Sequence, residues 1–355
     1  MSMFSPLSER PTVSVVVCTY NGGEYIRGQL DSILSQSYPI EEIIIQDDQS
    51  KDGITIPILQ EYVNLFPDKI KLFSTTSREG INHNFLTALK RAKGDLIAWS
   101  DQDDVWSPTK IERQVATLAN NWICFHITYP FYGEVPDFSS LTWDKRVPNF
   151  GLERTLFLGS VPGHTQLFRR DFFEWFCAHC SGEEFREIGK SYYLDTMMSI
   201  AADAYRKVVC IVEPLDLHRR LSTSVSETGE KNISGRSFRN LVRQIVKYSK
   251  PKFRKIIRPV IQLRFRNMLL LLDKFPDAPY TSHAREIISA YLSKGLVGNV
   301  RFLFALIRNR DRILFSVERH QWIAVLRAIL FTVTLYGYFE VSYKNILQGR
   351  AEDVN

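Results

Sequence analysis

Three apolar runs in the first hundred residues constrain this chain's fold more than any other feature. Val13-Ser14-Val15-Val16-Val17-Cys18 is short, β-branched and uncharged, and Glu42-Ile43-Ile44-Ile45-Gln46 and Asp95-Leu96-Ile97-Ala98-Trp99 are runs of the same kind. Each reads as a buried strand. The first is followed by the turn-forming Thr19-Tyr20-Asn21-Gly22-Gly23. A stretch from Glu24 to Gln36 comes next, where Ile26, Leu30, Ile33 and Leu34 recur at helical spacing. Ile70 to Phe73 is a further strand, and Asn82 to Lys93 a helix leading into Asp95. Strands alternating with helices imply an α/β fold with parallel strands and right-handed crossovers. In such sheets ligands sit beyond the carboxyl ends of the strands. Thr19-Tyr20, Asp47-Asp48 and the acidic cluster after Trp99 all fall at that edge.

That cluster, Ser100-Asp101-Gln102-Asp103-Asp104-Val105-Trp106, crowds three carboxylates into four residues. Like charges raise each other's pKa unless a cation holds them. Hard oxygen ligands suit magnesium or manganese, which bind through one or two carboxylates plus substrate phosphates. Asp101 and Asp103 are therefore candidate ends of an Asp-x-Asp clamp on a nucleotide diphosphate. The structural alternative is an acidic turn capping a helix that begins near Ser107-Pro108.

Taken in order, VSVVVCTYNGGEYIRGQLDSILSQSY, EEIIIQDDQSKDG and GDLIAWSDQDDVW resemble family 2 glycosyltransferases of the GT-A fold. The SDQDDVW form is similar to a bacterial branch that includes many rhamnosyltransferases. The resemblance covers residues 11 to 118 and continues more weakly to about 227. It implies a Rossmann-like, mostly parallel sheet flanked by helices, and sugar transfer from a nucleotide diphosphate sugar to an acceptor hydroxyl. It also implies roles for individual residues. Thr19 and Tyr20 would line the base pocket, and Asp48 would accept a hydrogen bond from the pyrimidine ring. Asp101 would face ribose and metal, and Asp103 would bind the metal. Arg78 would reach the diphosphate or stand as an exposed loop cation. Asp47 reads as a cap of the next segment.

Further along, Val161 to Arg170 resembles the segment that follows the family's acceptor loops, with Gly163 allowing close backbone approach. Tyr192-Tyr193-Leu194-Asp195-Thr196 occupies the place of the family's catalytic Asp. An inverting transfer needs one carboxylate to take the acceptor's proton, so Asp195 is the expected base; the alternative is a cap for a helix from Thr196 to Arg206. His218 and Arg219, after Glu213-Pro214-Leu215, are expected to stabilise the leaving group. The chain departs from the pattern at Gln49, where many relatives have Gly, at Ile54 instead of Thr, and at Leu194 and Thr196 beside the Asp.

With 355 residues, the chain has room for a catalytic domain over 11–229 and a second region over 230–355. Five scattered cysteines fit free thiols in a reducing compartment better than a zinc site, and Met1 to Arg10 lacks the apolar core of a signal peptide. Between Lys231 and Lys274, thirteen Lys or Arg face one acidic residue, Asp273, and interleave with apolar positions. A basic amphipathic helix of this kind reads as membrane-surface binding, or more plainly as a solvated face. Trp322 to Phe339 holds 18 residues with one charge, Arg327, and reads as an interfacial or groove-packed helix more readily than as a span. The expected enzyme is thus cytoplasmic and peripheral on the inner face of the membrane, with a glycan or lipid-linked acceptor and no nucleic-acid partner. Two rivals remain: a nucleotidyltransferase acting on sugar phosphates, and an inactive membrane adaptor on a transferase fold.

Overall fold

The computed structural model describes residues 3–78, 80–145, 150–158, 161–220, 238–293, 295–313 and 321–352. The eight strands are β1 Val13–Thr19, β2 Glu42–Asp47, β3 Ile70–Ser74, β4 Leu96–Ser100, β5 Val105–Trp106, β6 Ile123–Phe131, β7 Gln166–Arg169 and β8 Val208–Arg219. They form one sheet in the order β3-β2-β1-β4-β7-β6-β8-β5. Parallel pairing joins β3 to β2, β2 to β1 and β1 to β4. Beyond β4 the sheet is mixed: β7 runs antiparallel to β4 and β6, β8 parallel to β6, and β5 antiparallel to β8. The parallel half is the part built by strand–helix alternation, through α1 Ile26–Leu34, α2 Thr55–Leu65 and α3 Ile81–Leu89.

Strand periodicity explains why β1 is apolar on both faces apart from Ser14 and Thr19, whose hydroxyls are paired with Glu42 and Asp47. Val13, Val15 and Val17 point to one face and pack with Ile26, Leu30 and Ile33 of α1 and Ile58 and Leu59 of α2. Val16 and Cys18 point to the other, with Ile44, Ile97 and Trp99. Helices cover both faces, so neither residue set can be polar. The remaining helices up to residue 220 are α4 Lys110–Leu118, α5 Leu152–Leu158, α6 Arg170–His179, α7 Gly182–Gly189 and α8 Leu194–Asp203.

The segment Trp122 to Leu158, which carries no clear sequence pattern, contributes β6, a strand inside the sheet. Its pairing with β8 shifts register between His126 and Ile127 and again before Tyr129. Those irregularities, together with His126 and Pro130, remove the period-two signal that marks β1.

Helices α9 Phe238–Ser249, α10 Pro251–Asp273, α11 Ser282–Leu292, α12 Gly295–Arg308, α13 Arg310–Ile313 and α14 Gln321–Glu352 follow. Their apolar residues join the core on the Trp99 face: Phe265, Met268 and Leu272 of α10, Ile287 of α11, and Phe331, Leu335 and Phe339 of α14 belong to one buried cluster with Trp99 and Phe168. The boundary expected at 229/230 and Lys231, where the basic run begins, lie outside the described residues.

Much of the basic run is engaged within the fold. Lys247 pairs with Glu340 at 2.6 Å. Arg254 donates to the Tyr248 carbonyl at 2.7 Å, and Arg264 donates to the Ser191 carbonyl at 3.0 Å while stacking on Tyr192 at 4.4 Å. Lys274 pairs with Glu184. Arg243, Lys250, Lys252, Lys255 and Arg266 remain exposed. The Gln321–Glu340 part of α14 is long and apolar enough to cross a membrane by length and composition, but Ala324, Ala328, Phe331, Leu335 and Phe339 recur at helical spacing as buried contacts.

Candidate active site

The carboxyl ends of β1, β2 and β4 bring the expected residues to one edge. Thr19, 2% exposed, donates through Oγ1 to Asp47 at 2.8 Å. Asp47 also accepts from the Ser50 amide at 2.8 Å and from its hydroxyl, so this carboxylate closes the turn after β2. Asn21 joins the two loops, its amide donating to Ser50 Oγ and its Oδ1 accepting from the Lys51 amide. Asp48 is buried and accepts from Thr75 Oγ1 at 3.1 Å and from the Gly80 amide at 3.2 Å. Gln49, where many relatives have Gly, has φ of +63°. A left-handed residue there explains why Gly suits the position.

Tyr20 is exposed beside this edge, with Arg78 stacked 4.4 Å from its ring centre. Sequence reading had not singled out Gln102, yet it ties this loop to the acidic turn. Its Oε1 accepts from the Tyr20 amide at 2.8 Å and its Nε2 donates to the Tyr20 carbonyl at 3.1 Å. A side chain on Gly22 would meet Gln102 Oε1 at 2.2 Å, so Gly22 makes room for that clamp.

The three carboxylates of the acidic turn divide into an inner and an outer set. Asp104 is buried and accepts at Oδ1 from His218 Nδ1 at 2.8 Å and from the Arg219 amide at 3.2 Å. Its Oδ2 lies 3.2 Å from His164 Nδ1, which donates to Asp216 Oδ2 at 2.7 Å. The His164 and His218 rings stack at 4.6 Å. Lys110 is fully buried, donates to the His164 carbonyl at 2.5 Å and sits 3.8 Å over the Trp106 ring. Burial works against the His164 imidazolium, but Asp216 and Asp104 overcome it and lift His164 to about 10. Burial alone would raise the Asp216 carboxyl; His164 instead holds it well below the usual range. Burial lowers Lys110 to about 8 against the pull of Asp216, Asp104 and Asp101. Two buried cations thus stand among Asp104 and Asp216 and compensate them.

Among the described residues, no cation pairs with the outer set in the same way. Burial, then Asp104 and Asp101, push Asp103 up to about 7. Asp101 is raised by burial and by Asp104, with His164 and His218 opposing. Asp104, His164 and His218 also offer ligand atoms within 4.8 Å of one another. In that trio, however, the Nδ1 atoms and the Asp104 oxygens already face each other. Asp101 and Asp103, the carboxylates expected to hold a divalent ion, stand outside that trio, and His218 is fixed by Asp104 through Nδ1. A carboxylate behind a histidine is the usual arrangement behind a metal-binding imidazole. Arg219 donates to the Asp103 carbonyl at 3.2 Å and to the Gly133 carbonyl at 3.0 Å, between the Tyr25 and Phe131 rings.

Asp195 lies in the first turn of α8, whose N-cap position is Tyr193. Its Oδ1 accepts from the Thr196 amide at 2.5 Å, and its Oδ2 accepts from the Gly163 amide at 2.9 Å. Burial raises the carboxyl to about 6 against those hydrogen bonds, and the charge of Asp101 adds to the rise. A side chain on Gly163 would meet the Trp99 ring at 3.2 Å and Asp195 Cβ at 3.3 Å, so the absent Cβ lets the Gly163 backbone and the carboxylate approach. Lys110, Asp104 and Asp216 were missed as site residues because a charge in a sequence reads first as surface. The flanking Trp106 and the Glu213-Pro214 strand context offered no contrary signal.

Residues 14–176 match the family model described as glycosyl transferase family 2. The putative glycosyltransferase EpsE of Bacillus subtilis is 34% identical over 156 residues, 44% of this chain and 51% of that protein. The putative teichuronic acid biosynthesis glycosyltransferase TuaG of the same organism is 36% identical over 119 residues, 34% of this chain and 46% of that one. The Escherichia coli UDP-Glc:alpha-D-GlcNAc-diphosphoundecaprenol beta-1,3-glucosyltransferase WfgD is 34% identical over 114 residues, 32% and 43% respectively. The chain spans about half the length of the curated relatives it matches. Residues 14–176, a little under half of the chain, are thus similar to glycosyl transferase family 2.

Proposed function

We propose that this protein is an inverting glycosyltransferase. It moves a sugar from a nucleotide diphosphate sugar to a hydroxyl of a glycan or lipid-linked acceptor, in bacterial surface polysaccharide synthesis on the cytoplasmic side of the membrane. The observation that carries this reading is the charge pattern at the strand ends. The fold supplies its own cations to Asp104 and Asp216 and leaves Asp101 and Asp103 for one from outside. Asp195 stands close enough to feel the Asp101 charge. The names of EpsE, TuaG and WfgD point to the same chemistry, and that of WfgD to a lipid-linked acceptor.

Thr19, Tyr20 and Asp48 would receive the nucleoside, with the Tyr20 ring against the base and Arg78 withdrawing from Tyr20 toward phosphate. Asp101 and Asp103 would hold magnesium or manganese, which offsets diphosphate charge when bound. Asp195, as the carboxylate, takes the proton of the acceptor hydroxyl. The acceptor oxygen forms its bond to the anomeric carbon on the face opposite the diphosphate, and the bond from that carbon to the phosphate oxygen breaks. The nucleoside diphosphate carries away the electron pair. Arg219 and His218, fixed through the main chain and Asp104, supply positive charge and hydrogen-bond donors beside the leaving group without reorganising. The resemblance of the acidic turn to rhamnosyltransferases makes a deoxyhexose the first donor sugar to test.

The test is a donor screen with purified protein and a lipid-linked acceptor. Release of free nucleoside diphosphate coupled to acceptor glycosylation, lost on chelation and restored by magnesium or manganese, is the expected result. Pyrophosphate formation from a sugar phosphate would replace this reading with nucleotidyl transfer. Full turnover in excess chelator would remove the metal from it.

A further inference from the structure

Two neighbouring helices near the C-terminus present apolar faces that nothing covers among the described residues. α12 is buried along Gly298, Phe302, Ala305 and Leu306, yet its other side exposes Leu296, Val297, Val300 and Phe304, with Leu296 79% and Phe304 65% accessible. α14 packs beside α12. It buries Ala324, Ala328, Phe331 and Leu335 and exposes Trp322, Leu326 and Ile329, with Trp322 65% accessible. An ordinary surface helix is polar on the side away from the core. Helices that are apolar on both sides have a second apolar environment to meet, and contiguous exposed apolar surface marks interaction sites.

The charges that these two helices themselves carry beside the faces are all of one sign. No Asp or Glu occurs in residues 295–310 or 321–339. Arg301, Arg308 and Arg327 are exposed on the same two helices, and Arg308 also lies 3.5 Å from Glu286 on α11. Apolar side chains with a Trp at one end and arginines alongside match the boundary of an anionic bilayer, where aromatic rings sit at headgroup level and cations meet phosphates. A span is disfavoured because one whole face of α14 is spent on the protein core.

We propose that the outer faces of α12 and α14 seat this protein on an anionic lipid bilayer. The apolar side chains enter the headgroup–acyl boundary, and Arg301, Arg308 and Arg327 meet lipid phosphates. The docking surface lies on other helices than the basic run of α9 and α10, where Lys247, Arg254, Arg264 and Lys274 are engaged by Glu340, Tyr248, Ser191 and Glu184. This deepens the proposed function by naming the surface on which a lipid-linked acceptor would be met. Vesicle binding needs neither donor nor acceptor, so failure of one reading does not imply failure of the other.

The experiment is co-sedimentation of the full chain with phosphatidylglycerol-containing vesicles and with neutral phosphatidylcholine vesicles. Binding is expected to favour the anionic vesicles. The variant Val297→Asp, Phe304→Asp, Leu326→Asp is expected to lose at least about tenfold in partitioning, with unchanged circular dichroism and melting. Reversal of the basic run by Arg243→Glu, Lys250→Glu, Lys252→Glu and Lys255→Glu is expected to cost less than about threefold. Should the apolar variant fail to fold, quenching by brominated acyl chains reads Trp322 in the unmutated protein, and the signal is expected to vanish in Trp322→Phe. Absence of vesicle binding, full binding by the apolar variant, or loss confined to the charge reversal would each overturn the proposal. So would light scattering that showed these faces joining two copies of the chain in a dimer that the apolar variant dissociates.

Discussion

The carboxyl edge of the sheet and the C-terminal helices use charge in opposite ways. At the edge, Lys110, His164, Asp104 and Asp216 are buried, and their geometry is fixed by short contacts to one another. In the helices, Lys247 and Glu340 meet at the surface, with side chains 40% and 21% accessible. The apolar residues show the reverse arrangement. They are enclosed around β1, whereas α12 leaves Leu296, Val297 and Phe304 outside. Buried charges hold a site in one arrangement because an uncompensated partner is costly, while partly exposed pairs serve mainly to dock one helix on another. On the proposed reading, the first region is organised for chemistry and the second for attachment.

The largest test of that contrast is loss of the outer carboxylate. Asp103→Ala is expected to reduce transfer by about a thousandfold at fixed metal, from the several kcal/mol of charge stabilisation a bound cation supplies. Raising the metal concentration should recover part of the activity, and melting should change little. Asp104→Ala should behave differently, since it strands His218 and removes one of the two carboxylates that face His164. A loss of about 3–5 kcal/mol in denaturant unfolding is expected there, against less than about 1 kcal/mol for Lys247→Ala. Equal losses at Asp104 and Lys247 would erase the distinction between the two regions.

The pH dependence sharpens the site itself. The Asp195 carboxyl is raised to about 6, and only its ionised form accepts the acceptor's proton. Under saturating metal, kcat/KM should therefore fall about tenfold per pH unit below that value and level off above it. A limb centred near the ordinary carboxylate value would show that burial does not set this group. A smaller effect is expected from Gly163→Ala. The new methyl would press on Trp99 and Asp195, so kcat should drop about tenfold with donor affinity retained. Isothermal titration with the donor nucleotide separates the two quantities.

The strands carrying the donor edge were legible because β1, β2 and β4 are apolar on both faces, and such runs allow few other readings. The acidic turn stood out because three carboxylates in four residues repel one another, but the compensation of Asp104 by His164 and His218 inside the fold was not legible there. β6 was not, since its irregular pairing with β8 and its His126 and Pro130 break the alternation. Lys110 and Asp216 were hidden for a different reason: their partners, His164, Asp104 and each other's surroundings, come from distant parts of the chain. The basic run was legible in composition only. Its amphipathic pattern does not disclose that Arg254 and Arg264 spend their donors on the carbonyls of Tyr248 and Ser191. Gln49 is the reverse case, a departure from the family pattern that the left-handed backbone explains. Gln49→Gly should stabilise the protein slightly, by up to about 1 kcal/mol, read as a small rise in melting temperature.

The central claim is that Asp195 removes the acceptor's proton at a donor site assembled by other residues. Asp195→Asn keeps the shape of the side chain and removes the base, so the direct measurement is single-turnover transfer alongside donor affinity for that variant. The account predicts a fall in transfer of about a hundredfold or more with donor binding and melting temperature nearly unchanged. Intact turnover with lowered thermal stability would contradict it, and would leave Asp195 as a structural carboxylate tying α8 to the Gly163 backbone.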